Sequence, residues 1–182
     1  MTEKKSVAFN IPNSISWLRI FLTAVIVVLM YLQQNIAAFI VFLVASVSDY
    51  FDGYLARKYG QITKLGKVLD QMSDKILITS VLVVFVEWKL VPSWLVVIFV
   101  FRDTLVSIVR ILASESGKVI AANIFGKLKT VFQMILTIGL YIQVLGVEKF
   151  KFLNSWLIYI VAILTIISGA IYLYQNKDFL DQ

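Results

Sequence analysis

Neither cysteine nor histidine occurs anywhere in this 182-residue chain. Disulfides, zinc–thiolate centres and nucleophilic catalysis of the Ser-His-Asp or Cys-His kind are therefore excluded. Charge is scarce as well: Asp, Glu, Lys and Arg make up 15% of the residues, against roughly 25% in a soluble domain. Only two prolines interrupt the chain, and acidic residues number eleven. What is abundant is hydrocarbon. The apolar fraction is 60% and the mean hydropathy +0.87, well beyond the globular norm of about 45–50%. This composition describes an integral membrane protein of one domain, residues 1–182. The net charge of +6 would suggest nucleic acid in a soluble protein. In a membrane protein the positive-inside bias and anionic headgroups account for it, so no nucleic-acid partner is expected.

The apolar runs and the turn residues between them predict an all-α, polytopic fold of about six transmembrane helices. Pro12 breaks any helix begun upstream, and Asn13 or Ser14 can cap a new one. A short N-terminal interfacial helix then leads into a first span over 16–32. Gln33-Gln34-Asn35 forms a polar turn, and a second span runs from Ile36 into an acidic stretch. A loop over 58–64 precedes a third span over 66–86, and Glu87 to Pro92 turns the chain again. Further spans cover 93–112, 124–145 and 152–174, separated by 114–123 and by Gly146 to Lys151. Lys4 and Lys5 precede an apolar run that begins only near Ile20, with no small-residue cleavage site, so a cleaved leader is not expected. Of the seventeen basic residues, only Lys89, Lys149 and Lys151 fall on the side of the Gln33 turn. Eleven fall on the opposite side, and Arg19, Arg102 and Arg110 lie within spans. Both termini and the acidic stretch are therefore expected to face the cytoplasm.

Four of the eleven acids stand between Ser48 and Lys75: Asp49, Asp52, Asp70 and Asp74. Spacings of three and four place each pair on one helix face. Asp49 lies thirteen residues after Ile36, about 20 Å along a helix, and so inside a hydrocarbon core of about 30 Å. Asp70 and Asp74, early in the third span, reach a similar depth. Carboxylates at that depth are costly unless something holds them, which marks a functional site. A hard cation suits them, magnesium or manganese being the natural candidates. Four carboxylates at one level can hold two such ions, and a pair of ions suits displacement at phosphorus. Gly53 and Gly66 permit close approach of a ligand, and Arg57 is placed for a phosphate. Cation transport through the cluster, or intramembrane salt bridging alone, are the other readings open to these residues.

The pattern Asp-x2-Asp-Gly-x2-Ala-Arg-x8-Gly-x3-Asp-x3-Asp resembles the motif of the CDP-alcohol phosphotransferase family. It is met at Asp49, Asp52, Gly53, Ala56, Arg57, Gly66, Asp70 and Asp74. The resemblance implies transfer of a substituted phosphate from a CDP-linked lipid to an alcohol, with release of CMP. It also implies a polytopic, usually dimeric enzyme that needs Mg2+ or Mn2+. By this similarity Asp49, Asp52 and Asp70 hold one metal, while Asp70 and Asp74 are among the ligands of a second. Asp74 is also the base for the acceptor hydroxyl. Gly53, Arg57, Thr63 and Gly66, with Asn13 and Ser16 of the Pro12–Ser16 approach, contact the CDP-diacylglycerol donor.

The motif handles the donor, so the acceptor must be read elsewhere. Arg102 near mid-span, Arg110 eight residues on, and Lys127 with Lys129 offer a basic pocket for an acceptor carrying its own phosphate. The alternative has Arg102 paired with Asp103 and the lysines snorkelling to lipid headgroups. Ile11-Pro12-Asn13 with Arg19, Arg102 to Arg110, and Gly126 to Thr130 look like the branch that uses sn-glycerol 3-phosphate and yields phosphatidylglycerophosphate. That resemblance implies a place in anionic phospholipid biosynthesis in a bacterial cytoplasmic membrane, among membrane lipids and as a homodimer. A sister phosphatidyltransferase with a cardiolipin-, phosphatidylserine- or inositol-phosphate-type acceptor stays open. Several positions depart from the common pattern: Gln71 for proline, Ser73 for alanine, Ser16 for threonine, Asp103 for glutamate, and Ser107-Ile108 for Thr-Gly.

Overall fold

The structure is a computed structural model, and it describes residues 11–58, 64–115 and 123–176; within these, the side chains of 11–13, 49–58, 64, 65, 67, 68, 71, 114 and 115 are outside the description. Six α-helices follow one another: α1 (Ile11–Tyr31), α2 (Asn35–Lys58), α3 (Lys64–Glu87), α4 (Ser93–Glu115), α5 (Ile124–Val144) and α6 (Lys149–Gln175). They coincide in order and place with the six expected spans. The chain divides into two compact units, 1–84 and 85–182.

In the first unit α1 packs along α2. The buried positions of α1 are Ser16, Arg19, Thr23, Ile26 and Met30. This alternation of three and four residues makes a single seam down one face. Ala38, Phe42 and Ala45 form the matching stripe on α2. In the second unit α6 packs against both α5 and α4. Its buried stripe runs Asn154, Leu157, Val161, Thr165, Ser168 and Tyr172.

The distribution of polarity is inverted relative to a soluble protein. Arg19, Ser73, Lys129, Gln133, Thr137, Asn154, Thr165 and Ser168 are buried, whereas Phe21, Phe101 and Phe152 are 65%, 67% and 73% exposed. A surface of that kind is covered by lipid tails. Hydroxyls inside the helices are satisfied by their own backbone: Thr23 donates to the Arg19 carbonyl at 2.8 Å, Thr137 to Gln133 at 2.9 Å and Thr165 to Val161 at 2.6 Å. That arrangement is the one hydrocarbon demands, because a stranded polar group there has no water to turn to. By length and composition α1, α5 and α6 qualify as membrane crossings, and the stretch 35–48 of α2 is a shorter apolar segment. α3 and α4 carry their charges within the helix. The protein is an all-α polytopic membrane protein.

The ends of α1, α3 and α5 close in the same way. Gln34 N donates to the Leu29 carbonyl at 2.9 Å, Leu90 N to Phe85 at 2.9 Å and Val147 N to Ile142 at 3.3 Å. Each bond spans a residue in the left-handed region: Gln33 at φ 58°, Lys89 at φ 59° and Gly146 at φ 97°. These closures satisfy carbonyls that a helix end otherwise leaves unpaired.

One expectation is adjusted at the N-terminus. α1 begins at Ile11, so Asn13 and Ser14 lie within its first turn and do not cap it. Pro12 is tolerated there because first-turn amides have no helical acceptor in any case. A separate interfacial helix preceding residue 11 would lie outside the described residues.

Candidate active site

Asp49, Asp52, Gly53 and Arg57 all fall within α2, and Gly66, Asp70 and Asp74 within α3. The helical backbone gives each acidic pair the single face that its spacing demands. The register is nearly symmetric about the connecting loop. Asp52 lies six residues before the end of α2 and Asp70 six after the start of α3, and Asp49 and Asp74 stand nine and ten residues away. At 1.5 Å per residue these are depths of about 9 Å and 14–15 Å along the helices. The side chains of Asn13, Asp49, Asp52, Gly53 and Arg57, and all of Thr63, are outside the described residues.

Asp70 and Asp74 are the two motif carboxylates whose side chains are described, and α1 brings them together. Arg19 is fully buried, and its Nη1 donates to Asp74 Oδ1 at 2.5 Å and to Ser73 Oγ at 2.9 Å. The same nitrogen is 3.7 Å from Asp70 Oδ1. The Ser73 hydroxyl donates in turn to the Asp70 carbonyl at 2.9 Å. Asp70 and Asp74 nevertheless keep 48% and 47% of their side-chain surface open. Ser16, one turn before Arg19 on the α1 seam, is buried. The sequence marked Arg19 as an arginine inside a span but did not give it these partners. The available clue is its place on the buried seam of α1, where a charge requires a counter-charge from a neighbouring helix.

The second unit holds the basic residues. Asp103 is their hub. Arg102 Nη1 donates to Asp103 Oδ1 at 2.9 Å, and Lys129 Nζ reaches Oδ1 at 3.0 Å and Oδ2 at 2.8 Å. The Lys129 ammonium also lies 5.0 Å from the centre of the Phe99 ring and is 3% exposed. The Arg102–Asp103 pairing of the alternative reading is therefore present, while Lys129, buried on Asp103, does not reach out to headgroups. Arg110 lies over the Tyr172 ring at 5.8 Å. The Nε atoms of Arg102 and Arg110 make no hydrogen bond, and Lys127 is exposed. Asn123 caps α5 by accepting from Gly126 N at 2.6 Å. A Cβ on Gly126 would stand 3.1 Å from Arg102 Nη2, so the absent side chain lets that guanidinium lie against the N-terminus of α5. A fixed guanidinium at a helix N-terminus favours an anion, whereas Arg110, two turns further along α4 and against Tyr172, is not brought to that point by any contact described.

Among the described residues no group of three or more His, Cys, Asp or Glu side chains converges. The donor chemistry still suits a hard divalent cation. Asp70 and Asp74 offer carboxylate oxygens from successive turns, partly open.

Comparison with known proteins agrees with this layout. The family model for CDP-alcohol phosphatidyltransferase matches residues 9–167. The chain is 32% identical to the CDP-diacylglycerol–glycerol-3-phosphate 3-phosphatidyltransferase of Bacillus subtilis, covering 94% of this chain and 97% of that protein. It is 35% identical to the enzyme of the same name from Haemophilus influenzae, covering 94% and 96%. The enzyme so named from Shigella flexneri is 32% identical, with 96% and 99% covered.

Proposed function

Because the chain belongs to the CDP-alcohol phosphatidyltransferase family, we propose that it transfers the phosphatidyl group of CDP-diacylglycerol to sn-glycerol 3-phosphate, giving phosphatidylglycerophosphate and CMP. The observation that carries this reading is full-length similarity to bacterial enzymes of that name, together with the acidic motif on α2 and α3 and a basic cluster suited to a phosphorylated acceptor. The acceptor's 1-hydroxyl oxygen forms a bond to the phosphorus that bears the diacylglycerol, the bond from that phosphorus to the CMP oxygen breaks, and CMP leaves with the electron pair.

Asp49, Asp52, Asp70 and Asp74 are the residues that would hold Mg2+ or Mn2+, in one or two sites. A divalent cation bound there supplies charge neutralisation for the phosphate oxygens and the departing CMP. Asp74 takes the proton of the acceptor hydroxyl; a partly open carboxylate inside the membrane acts here by proximity rather than by basicity. Asn13, Ser16, Gly53, Arg57, Thr63 and Gly66 bind the donor. Arg102, Arg110 and Lys127 hold the acceptor's phosphate, and Lys129 fixes Asp103, which in turn orients Arg102. Neutral acceptors such as inositol lack that phosphate. The positive-inside bias puts the acidic motif and both termini on the cytoplasmic side of a bacterial inner membrane, and the protein acts as a homodimer of single-domain chains.

The test is an acceptor panel. Purified protein given CDP-diacylglycerol and Mg2+ releases CMP with glycerol 3-phosphate and not with serine, inositol phosphate or phosphatidylglycerol. CMP release driven by one of the other acceptors would reassign it to a sister activity. Metal flux in liposomes with no CMP from any acceptor would make it a transporter.

A further inference from the structure

The feature with no role so far is the buried charge behind the acidic motif. A single nitrogen, Arg19 Nη1, serves Asp74 at 2.5 Å, Ser73 at 2.9 Å and Asp70 at 3.7 Å. The Ser73 proton is directed to the Asp70 carbonyl, which leaves an oxygen lone pair for the guanidinium. Arg19 is fully buried, whereas the two carboxylates are about half open. The guanidinium thus approaches from the protein side, and the open side is where a ligand arrives. A carboxylate with one oxygen held from behind, as Asp74 is at Oδ1, has its rotamer fixed. The same positive charge repels any cation that comes to the open side of the carboxylates.

We propose that Arg19 is a positioning residue and a resident counter-ion of Asp70 and Asp74: it orients Asp74 for the reaction while weakening the hold of both carboxylates on the divalent cation. The proposal rests on the reading of these two residues as metal ligands. It separates two quantities that a purely structural arginine would move together. Orientation favours turnover, and the charge opposes cation affinity.

The test measures Mn2+ affinity by electron paramagnetic resonance on the purified protein in nanodiscs, beside CMP release at saturating Mn2+. Arg19→Gln keeps a hydrogen-bond donor and removes the charge. It is expected to bind Mn2+ about tenfold more tightly, the scale of one unit charge partly screened near the surface, while CMP release falls about 100-fold from misplaced carboxylates. Arg19→Lys keeps the charge and loses the planar fork, so its affinity stays near wild type and its turnover is intermediate. Ser73→Ala leaves every charge in place, and its affinity is unchanged with turnover reduced severalfold. Weaker Mn2+ binding in Arg19→Gln, in step with lost turnover, overturns the proposal, as does unchanged affinity. Where Arg19→Gln cannot be recovered as folded protein, Arg19→Lys and Ser73→Ala decide: unchanged affinity with reduced turnover supports the proposal, and parallel losses overturn it. Wild-type protein that binds no Mn2+ at all removes the metal reading itself, a result distinct from a failed Arg19 variant.

Discussion

A carboxylate inside a membrane needs a partner, and among the described residues Asp70 and Asp74 have one in Arg19. Asp70 and Asp74 lean on Arg19 from behind and present their remaining surface to solvent or ligand. Asp74→Asn keeps the shape of the side chain but removes both its charge and its capacity to take a proton. CMP release by that variant should fall by at least about 100-fold, with the protein still monodisperse in detergent, as an activity assay beside size-exclusion chromatography will show. Arg110 is used differently. Its guanidinium lies over Tyr172 with a buried, unbonded Nε, and it is one of the residues proposed for the acceptor's phosphate. Arg110→Ala should raise the KM for glycerol 3-phosphate about tenfold or more, the scale of one charge-assisted hydrogen bond. The KM for CDP-diacylglycerol should change little. An unchanged acceptor KM would take Arg110 out of the acceptor site.

Among the elements, α4 and α5 are joined by an ion pair largely enclosed by protein: Lys129 to Asp103, at 3% and 18% exposure. Removing one member strands the other. Lys129→Met should therefore destabilise the protein by about 3 kcal/mol, and Lys129→Met combined with Asp103→Leu should recover much of that loss, as read from thermal unfolding in detergent. The turn after α5 offers a smaller effect. Gly146 sits at φ 97°, where an alanine is strained, so Gly146→Ala should cost about 1 kcal/mol. The helices themselves were legible in the sequence because apolar runs alternate with polar turns, and Gln33, Lys89 and Gly146 stand where those turns close. The acidic face of the motif was legible because i, i+3 and i, i+4 spacing is a property of the helix alone. The start of α1 was not, since Pro12 forbids a helix interior but not a first turn. Nor were the partners of Arg19 and Lys129, which lie 55 and 26 residues away in sequence. Local pattern carries no information about which distant helix will supply a counter-charge.

At the scale of the whole molecule, the donor motif belongs to the unit of residues 1–84 and the acceptor candidates to that of residues 85–182. Both units bury serine, threonine and charged residues beside their apolar cores and expose large apolar side chains such as Phe21, Phe101 and Phe152, an arrangement that suits a protein acting between a lipid and a water-soluble phosphate. The outer surface suits a bilayer, and the buried polar side chains are held by neighbouring backbone and charged groups. Treatment with EDTA should abolish CMP release, and Mg2+ or Mn2+ should restore it. The most direct measurement of the central claim is CMP release from CDP-diacylglycerol by the purified protein across a panel of acceptors with Mg2+ present. Release with sn-glycerol 3-phosphate, and formation of phosphatidylglycerophosphate in equal amount, is the predicted result. Release with a different acceptor, and none with glycerol 3-phosphate, would contradict it.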